Sequence, residues 1–101
     1  KPNFKKSKIE INSSREDFSF SKIRTSKNTI DVRGLRVHEA EIIIDEKIRK
    51  FHGPLWIVHG IGTGKLKKGL RKWLSSLNYV DKIEDAAISE GGPGCSIAWI
   101  K

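Results

Sequence analysis

The stretch Leu55-Trp56-Ile57-Val58-His59-Gly60-Ile61-Gly62-Thr63-Gly64-Lys65-Leu66 decides the fold, because it reads as strand, turn and helix in one run. Its first five residues form a mainly apolar segment of strand length, as expected for a central strand buried on both faces. Three glycines at alternate positions then favour a turn. After the turn, apolar residues recur with the strongest helical period in the chain, at Leu66, Leu70, Trp73, Leu74 and Leu77. The stretch therefore predicts a buried strand that leads through a glycine-rich turn into an amphipathic helix.

The alternation of elements continues on both sides of this stretch. Residues 29–33 alternate apolar and polar side chains as a first strand would, and a helix of about four turns follows until Gly53-Pro54 ends it. After the second helix come a weaker strand around 83–88, the turn 90–94 and a last strand over 96–100. The order βαβαββ predicts an α+β fold, a two-layer sandwich with two helices on one face of a four-stranded mixed sheet. The right-handed crossover rule makes the first three strands parallel and the last one antiparallel.

One edge of the predicted sheet collects several polar and glycine-rich turns. The first two strands end at Arg33-Gly34 and at His59-Gly60. An antiparallel last strand would start at this same edge and bring the turn Glu90–Gly94 to it. Ligands of open α/β sheets bind beyond the carboxyl ends of the strands, so we expect a functional site here.

Charge divides the 101-residue chain into two parts. The whole chain has 20 Lys+Arg and 12 Asp+Glu, a formal net charge of +8. Residues 1–28 contain eight basic and three acidic residues and no helical period, so we interpret them as a basic, flexible linker or arm. Residues 29–101 contain twelve basic and nine acidic residues and form the predicted domain. The excess positive charge favours polyanionic partners, nucleic acid before an anionic membrane surface.

The composition excludes several classes of protein. No apolar segment approaches the roughly 20 residues of a membrane-spanning helix, and no secretory signal is present. The single cysteine, Cys95, cannot form an internal disulfide or a multi-cysteine zinc cluster, so we expect a cytoplasmic location. The sequence has no methionine and opens on Lys1, before which initiator methionine is not normally removed. We therefore expect the chain to be a piece of a longer protein.

The glycine-rich turn favours phosphate binding. Glycines permit positive φ angles and a close approach of a ligand, and the helix that follows adds free amides and the positive end of its dipole. The spacing fits neither the Walker A loop nor the dinucleotide fingerprint, so the backbone of a polynucleotide is the better ligand. The alternative is a tight turn before a solvated lysine face. Under the first interpretation, the phosphate-binding residues are Gly60, Gly62, Thr63, Gly64, Lys65, Lys67, Lys68, Arg71 and Lys72.

Three further residues at this edge are candidates for catalysis. His59 could act as a general acid or base near neutral pH, or it could only order the neighbouring turn by a hydrogen bond. Asp31 could bind a divalent metal ion, Mg or Mn, or orient Arg33 or His59; alternatively it forms an ordinary ion pair with Arg33 or a lysine. Arg33 could hold a phosphate through its planar guanidinium.

Three separated motifs in this sequence resemble those of a known family. They are Asn28-Thr29-Ile30-Asp31-Val32-Arg33-Gly34-Leu35, His59-Gly60-x-Gly62-x-Gly64-Lys65-Leu66 and Glu90-Gly91-Gly92-Pro93-Gly94. In this order they resemble the small MutS-related (Smr) domain over residues 28–101, most closely the copy at the C-terminus of a recombination-suppressing bacterial MutS paralogue. The resemblance implies a fold like the C-terminal domain of a bacterial translation initiation factor.

The resemblance also implies a function. It implies a DNA-nicking or RNA-cleaving endonuclease, or a domain that binds DNA, RNA or the ribosome without cleavage. The domain would be attached to a homodimeric, ATP-binding MutS-like protein that acts in recombination suppression or ribosome rescue.

The first motif departs from the family pattern L-D-x-H-G, because Arg33 stands at the histidine position. An arginine can stabilise negative charge but cannot act as a base near neutral pH, so cleavage would rest on Asp31, His59 and the basic side chains. Two other interpretations remain open. The chain could be a nucleic-acid or ribosome docking module in which His59 is structural. It could also be a protein-interaction domain whose Trp56 and Trp99 contact a partner on the open sheet face.

Overall fold

The computed structural model describes residues 23–101 as one sheet and two helices. The strands and helices, in chain order, are β1 (Thr29–Asp31), α1 (Val37–Ile48), β2 (Gly53–Val58), α2 (Lys65–Ser75), β3 (Val80–Asp85) and β4 (Cys95–Ile100). The order is the predicted βαβαββ. Within residues 23–101, no helix is long and apolar enough to cross a membrane.

The sheet is mixed and has the strand order β1-β2-β4-β3. β1 pairs with β2 in parallel, and β4 pairs antiparallel with both β2 and β3. The first three strands therefore share one direction and the last runs against them, which confirms the prediction. The run Pro54–Ile57 in β2 is buried on both faces, as expected for an interior strand. The carboxyl ends of β1, β2 and β3 and the start of β4 all lie at one edge.

The helices cover one face of the sheet. The core on this face contains Val32, Ala40, Ile44, Ile48, Leu55, Ile57, Leu70, Leu74, Ala98 and Ile100. α1 and α2 meet closely at Gly69, where an added Cβ would lie 2.8 Å from Cγ2 of Val37. Because Val37 is the first residue of α1, this contact keeps the starts of both helices at the same edge of the sheet.

The other face of the sheet carries a smaller cluster around Trp56. Trp56 is fully buried there with Ala86, Cys95 and Ile97, and its indole N–H donates to Oε1 of Glu90 at 3.2 Å. Arg24 Nη1 in turn donates to the Glu90 carbonyl at 2.7 Å. Trp56 is thus a core residue, and residues 86–94 cover the centre of the sheet face that carries no helix.

Several element boundaries differ from the prediction. β1 ends at Asp31 instead of Arg33, β2 spans Gly53–Val58 instead of 55–59, and β4 begins at Cys95 instead of Ser96. α1 ends at Ile48 and has 12 residues, because the amides of Lys50 and Phe51 bond to carbonyls three residues back, at 3.3 Å each, and so tighten the chain into a turn. β3 spans Val80–Asp85 instead of 83–88. Residues 1–22 of the predicted arm lie outside the described residues, and residues 23–28 lead directly into β1.

Candidate functional site

A cleft of about 420 Å³ opens at the edge where the parallel strands end. It lies between the β1–α1 loop and the β2–α2 loop. Its lining consists of Gly34, Leu35, Arg36, Val37, His59, Gly60, Ile61, Gly62, Thr63, Gly64, Lys65, Leu66 and Lys67. The cleft is therefore built from the edge that the strand order predicts, and it includes the whole glycine-rich turn.

The three glycines of the turn all have positive φ angles, 80° at Gly60, 39° at Gly62 and 84° at Gly64. A Cβ added at Gly62 or Gly64 would meet no atom within 4 Å. These two glycines are therefore required for the backbone conformation and not for lack of space. The turn is closed by the Gly64 amide, which donates to the Ile61 carbonyl at 3.0 Å.

The turn leaves the start of α2 open. Gly64 is the N-cap residue and offers no side-chain oxygen, and the first turn of α2 has no acidic residue. The Lys65 amide donates a long hydrogen bond, 3.4 Å, to Thr63 Oγ1. The Leu66 and Lys67 amides have no hydrogen-bond partner among residues 23–101. Free amides and the positive end of the helix dipole thus meet at the cleft, an arrangement that binds anions.

The basic residues of α2 divide into two groups. Lys67 Nζ lies 3.1 Å from Asp85 Oδ1 and 3.1 Å from the Pro93 carbonyl oxygen. Arg71 bonds to Asp85 through Nη2 and donates from Nε to Ser96 Oγ at 3.1 Å. These two residues connect α2 to β3, β4 and the turn between them, so they have a clear role in the fold. Their role in phosphate binding stays a prediction.

The second group faces solvent. Lys65, Lys68 and Lys72 are exposed, and no hydrogen bond or ion pair joins their ammonium groups to any of the described residues. Lys65 also lines the cleft. These three lysines are the members of the predicted basic cluster that can turn towards an external phosphate without breaking a contact within residues 23–101.

His59 is buried, with 6% of its surface exposed, and both ring nitrogens have partners. Nδ1 lies 2.8 Å from the Gly60 carbonyl oxygen, and Nε2 lies 2.8 Å from Ser96 Oγ. Burial lowers the pKa of His59, and the nearby charges of Lys67 and Arg71 lower it further. The partners assign the neutral tautomer with the proton on Nδ1, which donates to Gly60 while Nε2 accepts the Ser96 hydroxyl.

This geometry matches the alternative in which His59 orders the turn. The imidazole links β4 to the first glycine of the loop, and Arg71 continues the chain of hydrogen bonds through Ser96. A general base needs a free ring nitrogen within reach of the reacting group. A catalytic role for His59 stays a prediction.

Asp31 and Arg33 form an exposed pair beside the cleft. Arg33 Nε lies 3.0 Å from Asp31 Oδ1, and Nη2 lies 2.7 Å from Oδ2, so the guanidinium holds the carboxylate with two parallel bonds. These bonds lower the pKa of Asp31 below its ordinary value. The aliphatic part of Arg33 packs beside Gly60, where an added Cβ would lie 3.6 Å from Arg33 Cγ. The pair therefore stands at the rim of the cleft, with its charges facing solvent.

The cleft offers few side chains that could bind a metal ion. Among residues 23–101, no group of three or more His, Cys, Asp and Glu side chains lies close enough to hold a metal. Both carboxylate oxygens of Asp31 already accept hydrogen bonds from Arg33. The described residues alone thus do not fit a metal site, and a role for Asp31 in metal binding stays a prediction.

Two residues that hold this site together, Ser96 and Asp85, are not among the predicted site residues. Both belong to strands that meet α2 only in the folded chain, at 25 and 14 residues from Arg71. One signal was available for Ser96, a polar residue within the otherwise apolar strand Cys95–Ile100. A buried hydroxyl in such a strand requires a partner.

Fold and site together define a class of protein: a small two-layer α+β domain that presents a glycine-rich, cationic cleft at the carboxyl edge of its sheet. The family model of the Smr domain matches residues 30–101. The chain belongs to the Smr domain family.

The similar proteins are MutS2 proteins. The chain is 40% identical over 81 residues to the protein named Endonuclease MutS2 of Synechocystis sp., an alignment that covers 78% of this chain and 10% of the relative. It is 38% identical over 103 residues to Endonuclease MutS2 of Finegoldia magna, which covers 95% of this chain and 13% of the relative. The chain thus spans about a tenth of the length of these relatives.

Solved structures agree with the fold. The Smr domain of Thermus thermophilus MutS2 matches with a TM-score of 0.69 and 31% identity, over 73% of this chain and 98% of that structure. YdaL from Escherichia coli, a stand-alone small MutS-related protein, matches with a TM-score of 0.70 and 16% identity, over 81% of this chain and 70% of that structure. The first supports the family and the fold, and the second supports the fold alone.

Proposed function

We propose that this Smr domain binds the phosphodiester backbone of DNA or RNA in the cleft between the β1–α1 and β2–α2 loops. The observation that carries the proposal is the open start of α2, where the Leu66 and Lys67 amides lack partners among residues 23–101 and no acidic residue offsets the dipole. A phosphate supplies the missing acceptors. Lys65, Lys68 and Lys72 stand on the same helix with ammonium groups that bond to none of residues 23–101, and they extend the contact along the nucleic-acid backbone.

The test is the salt dependence of binding. The chain is titrated onto fluorescein-labelled single-stranded DNA, duplex DNA and an RNA hairpin between 50 and 200 mM salt, first as wild type. Lys68→Ala is then compared with Lys50→Ala, which removes the same charge from an exposed position after the end of α1. We expect Lys68→Ala to weaken binding on every sequence and to lower the salt slope by about 1. Equal effects of the two variants would place the bound phosphates elsewhere.

We propose further that the domain cleaves the backbone it binds, as an endonuclease that nicks DNA or cuts RNA. The name Endonuclease MutS2 of the relatives favours this activity. In this chain, Arg33 is suited to hold the scissile phosphate, because its guanidinium is exposed and, while Nε and Nη2 bond to Asp31, its Nη1 has no partner among residues 23–101. Asp31 keeps that guanidinium oriented at the rim of the cleft. Its lowered pKa makes it a weak base, so positioning Arg33 suits it better than proton abstraction.

Cleavage is tested on supercoiled plasmid and structured RNA, with magnesium, with manganese and with chelator. We expect Arg33→Lys to lose most of the cleavage while keeping binding, since lysine keeps the charge but not the paired donors. Asp31→Asn is compared with Asp45→Asn, because Asp45 forms a similar pair with Arg49 on α1. Nicking that persists undiminished in both Arg33→Lys and Asp31→Asn would assign it to other groups or to a contaminant. Binding without any cleavage would favour the docking module.

For the longer protein, we propose the setting that the resemblance implies. The domain would serve a cytoplasmic, homodimeric, ATP-binding MutS-like protein that acts in recombination suppression or on ribosomes. The similarity to MutS2 proteins over about a tenth of their length supports this setting.

A further inference from the structure

One large apolar side chain stands exposed in the wall of the cationic cleft. Ile61 has 67% of its surface exposed and lies between two glycines of the turn. It lines the cleft together with Lys65 and Arg36. Single exposed apolar side chains are common on protein surfaces, so exposure alone assigns no role to Ile61. What distinguishes Ile61 from the other exposed isoleucines of residues 23–101 is its place in the wall of the cleft.

The structure holds Ile61 in a defined place. The amides of His59 and Gly60 both donate to the Gly94 carbonyl, at 3.1 and 2.9 Å, and so join the glycine-rich turn to the turn before β4. The stem of Ile61 rests on this junction, where a Cβ added to Gly94 would lie 3.4 Å from Ile61 Cγ1. The Ile61 carbonyl accepts the Gly64 amide at 3.0 Å. The outer part of the side chain is thus presented to the cleft by a braced loop.

The charges around Ile61 select the kind of partner. Its neighbours in the cleft wall are cations and free amides, which match the phosphates of a nucleic acid. A polynucleotide offers apolar surface on its sugars and on the faces of its bases. The face of a base is the broader of the two, and isoleucine is one of the side chains that proteins insert against unstacked bases. A purely electrostatic phosphate site has no use for an apolar wall.

We propose that Ile61 packs against an unstacked base of the nucleic acid whose backbone lies at the start of α2. The proposal rests on the proposed nucleic-acid binding and adds a contact to a base. It gives the domain a preference for strands whose bases are unpaired or easily unstacked over a regular duplex.

The test removes the base and the side chain in turn. Ile61→Ala and Ile42→Ala are measured on a single-stranded oligonucleotide and on an abasic strand with the same number of phosphates. Ile42 is the matched control, since it is 61% exposed on α1 and does not line the cleft. We expect Ile61→Ala to weaken binding to the normal strand by about three- to tenfold and to leave the abasic strand unaffected. Ile61→Val should retain most of the affinity, and Ile42→Ala should change neither strand.

A fluorescent base analogue reports the contact directly. 2-Aminopurine brightens when it is unstacked, so its emission should rise when wild type binds and rise less with Ile61→Ala at saturation. An equal loss of affinity on normal and abasic strands would overturn the proposal and leave Ile61 with a role in shaping the loop. Equal binding of wild type to both strands would overturn it as well, while backbone binding stands. Failure of wild type to bind either strand would instead overturn the proposed function.

Discussion

The two helices of this domain begin at the same cleft but in opposite electrostatic states. At the start of α1, the Glu39 carboxylate accepts the Arg36 amide at 2.8 Å and offsets the positive end of the helix dipole. At the start of α2, Gly64 offers no acceptor, and the first turn carries lysines without an acid. The difference shows that a helix N-terminus is not by itself a phosphate site. Both helices leave first-turn amides without partners among residues 23–101, so the difference between them is the Glu39 carboxylate, which offsets the dipole of α1 and repels phosphate. α2 has no acid in its first turn and is therefore the candidate for the ligand.

The largest expected effect comes from giving the start of α2 a negative charge, as Glu39 gives the start of α1. Gly64→Asp places a carboxylate at the N-cap of α2, where it accepts the free amides and repels phosphate. We expect nucleic-acid binding to fall by about ten- to a hundredfold, or roughly 1.4–2.8 kcal/mol. Gly64→Asn is the matched control, because asparagine tolerates the same positive φ and lacks the charge. Binding as strong as that of wild type by both variants, measured by fluorescence anisotropy, would show that the start of α2 is not where the anion lies.

The second prediction concerns the hydrogen bonds that join Arg71, Ser96 and His59 to Gly60 of the glycine-rich turn. Ser96→Ala removes the hydroxyl that His59 Nε2 and Arg71 Nε share, and so leaves two polar groups without their partner. We expect the free energy of unfolding to fall by about 1–2 kcal/mol. Ser75→Ala provides the control, because Ser75 is exposed and bonds only to a carbonyl within its own helix. Urea denaturation of both variants measures the difference. A loss no larger for Ser96→Ala than for Ser75→Ala would mean that the network does not stabilise the domain.

Some features of the domain can be predicted from the sequence, and others depend on contacts that form only in the folded chain. The order βαβαββ, the strand directions and the positive φ angles of the glycine-rich turn follow from local periodicity, glycine spacing and the handedness of crossovers, and the structure confirms them. The local sequence does not predict how the basic cluster divides. Lys67 and Arg71 differ from Lys68 and Lys72 only because they have partners on β3 and β4. A one-dimensional pattern shows five cations on one segment. Which of them are already neutralised depends on Asp85, which the sheet brings to α2 from 14 residues away.

The third prediction weakens the capped helix. Glu39→Gln keeps a side chain that can still accept the Arg36 amide but removes the negative charge at the start of α1. We expect the free energy of unfolding to fall by about 0.5–1 kcal/mol, with nucleic-acid binding unchanged or slightly stronger. Glu46→Gln, an exposed position near the other end of α1, controls for the charge. Thermal unfolding and the binding titration are run on the same samples. A binding loss with Glu39→Gln would contradict the choice of α2 over α1 as the helix that binds the ligand.

The smallest expected effect is a dependence of the free energy of unfolding on pH, which arises at His59 beside the glycine-rich turn. Burial lowers the pKa of His59 in the folded chain, whereas the unfolded chain titrates near the ordinary value of about 6.5. Between these two values the unfolded state binds more protons, so the free energy of unfolding decreases as the pH falls from about 7 through 6.5 towards the folded pKa. Asp31 and Asp85 also have lowered pKa values, but their stabilisation is lost only below their ordinary values near 3.8. The decrease between pH 7 and 5 should therefore belong to His59.

Two measurements separate this effect from general acid sensitivity. His59→Gln should flatten the dependence of unfolding free energy on pH in that window, and His52→Gln, at an exposed histidine, should not. Protonation of His59 removes the acceptor of the Ser96 hydroxyl hydrogen and places a positive ring near Arg71, so the hydrogen-bond network weakens where it meets the glycine-rich turn. Amide hydrogen exchange, corrected for its intrinsic pH dependence, should then quicken at Gly60 and Gly64 and stay constant at Ala40, the first hydrogen-bonded amide of α1. If amide exchange became faster by the same factor at Gly64 and Ala40, the two sides of the cleft would open together. The starts of α1 and α2 would then differ in charge alone.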